Sequence, residues 1–350
     1  MMRCGASAAQ AAAGVGLGRA QPKVDYSNQP PTLVSFASSL FALALAYAAT
    51  ACVARPSSTV PLPPSVAPRA QNPSPMVEGV RRHERVPPGQ PPGIAFTIDS
   101  VLPRPVDVFI PERPALSDGA PEERTLLVHL LGAAYVPMRA AASARDGYVV
   151  AAVNLGAGSA AYERPLSDSA TWPALLRRVR EETRVRTGGR VRIGRVVVSA
   201  FSAGYGGVRA LLSDERIAAT LDAVILLDGL HTSYVPERTV LAEGGALDTA
   251  KLAPFLRYAR RAETGEVRML ITHSEIFPGT FASTTETTDW LIASLGLTRM
   301  PVLAWGPGGM QQLSEVRRGR LTILGFAGNT GPDHIDHLHG LGAFLAQVER

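Results

Sequence analysis

Residues 196–207, Val-Val-Val-Ser-Ala-Phe-Ser-Ala-Gly-Tyr-Gly-Gly, constrain this chain more than any other stretch. Val196, Val197 and Val198 open an apolar, β-branched run with the composition of a buried strand. The run stops at Ser202, and helical spacing follows at Val208, Leu211 and Leu212. Ala200 and Gly204 flank the serine two residues away on either side. Such small residues let a strand and a helix approach through a very tight turn, which pushes the serine out at the carboxyl edge of a sheet. The amide of Ala203 then falls at a helix N-terminus, where it can donate to an oxyanion. The bland alternative is a Gly-rich turn in which Ser202 is a helix cap.

A mostly parallel sheet is expected around this turn. Short apolar runs read as strands at 94–98, 105–110, 125–131, 148–153, 221–227, 267–271 and 321–326. Trp172, Leu175, Leu176 and Val179 fall at helical spacing, closed by Gly188-Gly189, and a terminal helix carries Leu338, Leu341, Phe344, Leu345 and Val348. Buried strands separated by helices imply helices on both faces. Sites in such sheets form at the carboxyl ends of strands. Phe277-Pro278-Gly279 and Gly306–Gly309 read as turns.

A reactive serine needs a base, and the base needs an acid to fix its tautomer. Three of the seven histidines, His334, His337 and His339, follow the last strand. His334, placed in the loop before the terminal helix, is the first candidate for the base. His337 is the second, and His339 reads as a helix residue. A metal reading of His334, Asp336 and His337 lacks a supporting Cys/His cluster, and no metal or cofactor is expected. For the acid, Asp228 ends one strand and Glu275 follows another; Asp228 is placed first and Glu275 stays open. Glu286 and Asp289 read as solvated helix positions. His231 and His273 read as loop histidines or as lining of a pocket. The turn after Leu131 offers Gly132 or Ala133 as a second oxyanion donor beside Ala203.

In its serine turn, strand-end acids and late histidine, residues 94–350 resemble the α/β-hydrolase-fold serine hydrolases, esterase- and lipase-like enzymes included. The usual Gly-x-Ser-x-Gly has Ala200 at its first glycine here. The resemblance implies nucleophilic acyl chemistry on a small-molecule or polymeric ester: Ser202 attacks, His334 moves the proton and Asp228 orients the ring. An amidase or peptidase with the same groups, or a non-catalytic surface module on this fold, stays open.

Residues 1–53 read as an export segment. An apolar run from Leu33 to Val53 contains Ala49-Thr50-Ala51-Cys52, which resembles a bacterial lipoprotein signal with Cys52 as the lipidated residue. Simple secretion with cleavage after Ala51 and an uncleaved membrane anchor are the competitors. Residues 56–93 hold eleven prolines, so 54–93 read as an extended tether. The expected location is the cell envelope, as a lipoprotein, or outside the cell. The net charge of +5 arises within residues 1–93, where eight Lys/Arg face three acids. Residues 94–350 are therefore formally neutral and show no basic stripe for nucleic acid. Both cysteines, Cys4 and Cys52, lie near the N-terminus, which excludes a disulfide framework or thiolate metal site from the α/β region.

Overall fold

The computed structural model describes residues 85–113 and 121–349. The apolar run, Cys52 and the tether up to residue 84 lie outside the described residues. Among the described residues, no helix is long and apolar enough to cross a membrane.

Twelve strands and nine α-helices are described, and ten of the strands form one sheet. The chain enters through β1 (Gly93–Ile98), β2 (Val106–Pro111) and β3 (Glu122–Leu130). Helix α1 (Tyr135–Ser143) leads to β4 (Tyr148–Val153), and α2 (Ser159–Leu166) and α3 (Thr171–Arg186) lead to β5 (Val191–Phe201). Next come α4 (Tyr205–Ser213), α5 (Glu215–Ala218) and β6 (Ala223–Leu227). A small separate ribbon, β7 (Tyr234–Val235) with β8 (Ala246–Leu247), precedes α6 (Ala253–Glu263) and β9 (Arg268–His273). Helix α7 (Thr284–Ser294) and the hairpin β10 (Met300–Trp305) and β11 (Gln311–Arg318) follow. The chain closes with β12 (Leu321–Phe326), α8 (Gly331–His339) and α9 (Leu341–Val348).

The order across the sheet is β1-β2-β4-β3-β5-β6-β9-β12-β11-β10. The six strands from β4 to β12 are paired in parallel, and the pairings at both edges are antiparallel. Strand periodicity divides the core in two. Leu126, Val128, Val224 and Leu226 pack with Tyr162, Trp172, Leu211 and Phe255 of the helices on one face. Leu127, Ala223, Ile225 and Leu227 pack with Val136, Leu341 and Phe344 on the other. Full burial of each large aliphatic side chain contributes about 1.5–3 kcal/mol relative to exposure, so both faces must be covered. With the serine turn after β5, this is an α/β-hydrolase fold.

Three features depart from the sequence reading. Strands β10 and β11 belong to the sheet, although β10 is mostly exposed and β11 is polar (Gln311, Gln312, Glu315, Arg317, Arg318). β11 lacks the apolar run that marks a buried strand, and in β10, Met-Pro-Val-Leu-Ala-Trp, Pro301 interrupts an otherwise strand-like apolar run. The terminal helix is two helices, divided at Gly340. His334 lies inside α8 rather than in a preceding loop, because Thr330 and Asp333 form a reciprocal capping box that starts the helix at Gly331. Residues 85–89, in the stretch read as a tether, are bonded to the domain. Arg85 Nε donates to Asp336 at 2.9 Å, the Val86 amide donates to His339 Nδ1 at 3.0 Å, and Arg139 binds the carbonyls of Pro88 and Gly89.

Candidate active site

Three adjacent strand ends carry the site. Residues following β3, β5 and β6 adopt left-handed backbone without being glycine: Leu131 (φ 67°), Ser202 (φ 47°) and Asp228 (φ 43°). Each such residue costs on the order of 1–2 kcal/mol, and such strain collects at functional sites. At the serine turn, Ala200 is fully buried between Leu130 of β3 and Leu226 of β6. A Cβ on Gly204 would meet the Leu130 carbonyl oxygen at 2.4 Å, so a larger residue cannot stand there. Ser202 opens a 3-10 turn that runs into α4 and is itself half-buried. The amide of Ala203 is in the first turn of that segment, where backbone donors lack intrahelical acceptors.

Asp228 is 2% exposed and accepts four hydrogen bonds. They come from the Ser274 amide (2.9 Å), Ser274 Oγ (2.7 Å), Thr284 Oγ1 (2.7 Å) and His334 Nδ1 (2.7 Å). Burial alone would raise its pKa. His337 and His334, with the hydrogen bond from Thr284, outweigh that and hold the carboxyl well below the usual carboxylate range. An ionised carboxylate is acceptor-only, so the proton in the contact with His334 sits on Nδ1 and Nε2 keeps the lone pair. The His334 ring lies on Phe201, the residue before Ser202, with centroids 4.5 Å apart. The ring is one-quarter exposed, which leaves it accessible from solvent.

The rival candidates are committed elsewhere. Glu275 is bound to the loop after β12: its amide donates to the Gly328 carbonyl at 2.9 Å, and the Gly328 amide donates to Glu275 Oε2 at 3.2 Å. His337 is buried with Nδ1 2.7 Å from Thr272 Oγ1, and burial lowers its pKa. His334, Asp336 and His337 therefore point to different partners: Asp228, Arg85 and Thr272. Of the two amides after β3, Gly132 donates to Asn154 Oδ1 at 3.0 Å. That contact occupies the Gly132 amide, and Ala133 is the other candidate opposite Ala203.

His231 donates from Nδ1 to the Ala282 carbonyl, and His273 is buried against Arg299. Glu286 is not a solvated position: it closes the capping box of α7 with Ser283 and accepts from Tyr234 Oη. Asp289 is paired with Arg299. Ser274 and Thr284 were not anticipated as partners of the acid. The signal for Thr284 is the spacing Ser283-x-x-Glu286, which starts a helix there and turns its first residue toward Asp228.

The sequence matches no protein-family model and no curated protein sequence. Among solved structures it is similar to the acylaminoacyl peptidase of Pyrococcus horikoshii, at 15% identity over 75% of this chain and 42% of that one, with a TM-score of 0.40. It is also similar to esterase 2 of Thermogutta terrifontis, at 15% identity over 75% of this chain and 97% of that one, with a TM-score of 0.41. A third is the enterobactin esterase of Shigella flexneri, at 16% identity over 76% and 60% of the two chains, with a TM-score of 0.43. The chain thus spans less than half the length of the peptidase and nearly all of the Thermogutta esterase.

Proposed function

We propose that this chain is a serine hydrolase that cleaves carboxylic esters through an acyl-enzyme on Ser202. The observation that carries the reading is the 2.7 Å contact of His334 Nδ1 with the buried Asp228 carboxylate, on a ring stacked against the residue before Ser202. His334 Nε2 takes the Ser202 proton as Oγ bonds to the substrate carbonyl carbon. The amides of Ala203 and Ala133 receive the oxyanion. His334 then returns the proton to the departing alcohol, and water repeats the sequence to release the acid.

A fluorophosphonate probe and short-chain p-nitrophenyl esters test this. Wild type should label and turn over, and Ser202→Ala should do neither while keeping its circular dichroism. Wild-type-like turnover in Ser202→Ala would overturn the serine mechanism. Matched ester and amide substrates separate the esterase from an amidase or peptidase with the same groups. Export to the cell envelope through Cys52 belongs to the same proposal. Metabolic labelling with an alkyne fatty acid, lost in Cys52→Ser, is the result expected.

A further inference from the structure

Resting on the serine hydrolase reading, we infer that Tyr205, His231 and Phe281 form a wall of the site that receives a flat aromatic group of the ester. Tyr205 is three residues beyond Ser202, and its amide turns back onto the carbonyls of Ser202 and Ala203. His231 is three residues beyond Asp228. Its ring stands against Tyr205 (centroids 5.5 Å, 64°) and edge-on to Phe281 (5.1 Å, 88°). One continuous run of rings therefore leads outward from the serine turn, in the edge-to-face geometry that aromatic groups prefer.

The outer ring of this run is held in place. The stretch 275–283 leaves from Ser274 and returns to Thr284, and both residues bind the Asp228 carboxylate. The Ala282 amide donates to the Thr232 carbonyl at 2.9 Å, and the Ala282 carbonyl accepts from His231 Nδ1 at 3.0 Å. Phe281 is thus fixed relative to the acid, yet 41% of it is exposed, and Phe277 on the same stretch is 58% exposed. The open Phe281 ring, in contact with His231, offers apolar contact that the folded chain leaves unused.

The wall carries no net charge. Burial holds the His231 pKa below its ordinary value, which keeps the ring neutral. The Arg209 guanidinium over Tyr205 is taken up by both oxygens of Glu163. A neutral surface of ring faces and edges selects a planar apolar group over a carboxylate or a sugar.

The test compares phenyl with cyclohexyl at constant size on the full chain, each pair on one preparation so that an inactive fraction cancels in the ratio. Ethyl 3-phenylpropanoate against ethyl 3-cyclohexylpropanoate reads the acyl side; benzyl propanoate against cyclohexylmethyl propanoate reads the alcohol side. In wild type the phenyl/cyclohexyl ratio of kcat/KM should be about tenfold on one side. Phe281→Ala and His231→Leu should bring it toward one through KM. A ratio at or below one on both sides, or a ratio unchanged in both variants, overturns the wall. Saturation-transfer NMR on Ser202→Ala with the same esters separates the two ideas. Selective aryl binding without wild-type turnover overturns the hydrolase and keeps the wall. Turnover without aryl selectivity keeps the hydrolase and overturns the wall.

Discussion

A Cβ placed on Gly229 would stand 2.7 Å from the carbonyl oxygen of Ser202 and 3.0 Å from its amide nitrogen. The residue after the acid and the serine of the turn are therefore packed backbone to backbone. Parallel pairing sets this up: Phe201 lies opposite Leu227 in the register of β5 and β6, so both strands end at the same level. Each chain then turns through a left-handed residue, Ser202 or Asp228.

Gly229→Ala should be costly for this reason. The atoms it would strike are backbone and cannot rotate away, so one of the two turns must move. Overpacking of this kind costs about 1–3 kcal/mol, readable as a lower urea midpoint. A displaced serine turn should also lower kcat out of proportion to the lost stability. A variant with unchanged midpoint and unchanged kcat would contradict the close approach.

The acid can be assigned by two isosteric changes. Asp228→Asn keeps the shape of a side chain that accepts four hydrogen bonds but removes the charge facing His334. The comparable change in a serine protease costs about 10⁴-fold in kcat. Glu275 binds the Gly328 backbone, so Glu275→Gln should cost less than about tenfold. Crippled Glu275→Gln beside active Asp228→Asn would reverse the assignment.

The sheet was legible because its central strands are buried on both faces. Strands β4 and β12 are apolar runs whose ends the residues mark, at 148–153 and 321–326. Their flanking pattern also made the serine turn and the Asp228 strand end readable. The edge hairpin was not readable, since an edge strand need not be apolar: β11 is rich in charged and amide side chains, and the apolar β10 is interrupted by Pro301. Among histidines the sequence offered order but not depth. Two hydroxyls on other segments, Ser274 and Thr284, complete the surroundings of Asp228, and that convergence is a product of the fold.

His334 and His337 should fail in different ways. His334 is one-quarter exposed and reaches the acid, so His334→Ala should lower kcat by roughly 10⁴-fold with a small change in stability. His337 is buried, bonded to Thr272 Oγ1 and edge-on to Phe326. His337→Ala leaves a cavity and weakens the hydrogen bonding of a buried hydroxyl, which together cost about 2–4 kcal/mol. Its kcat, measured at a temperature where the variant is folded, should fall far less than that of His334→Ala. The opposite pattern would move the base to His337.

Acid should destabilise this domain in two separate windows. His129 is buried against Ser199 Oγ, and burial lowers its pKa from 6.5 to about 4. His273 is also lowered from 6.5 to about 4, by burial first and the Arg299 guanidinium second. Between those values the unfolded chain binds protons that the folded chain refuses. Stability is therefore full above about pH 6.5 and falls as the pH drops toward 4, by on the order of 3 kcal/mol per histidine. Asp228 acts lower down: its folded pKa is depressed, so its contribution is present above its ordinary value of 3.8 and is lost only below that. Urea midpoints measured from pH 7.5 to 4.5 should fall steeply, and His129→Gln should remove part of the slope, the rest coming from His273 and the other buried histidines whose pKa burial lowers. A flat midpoint over that range would mean that neither histidine is held neutral by burial.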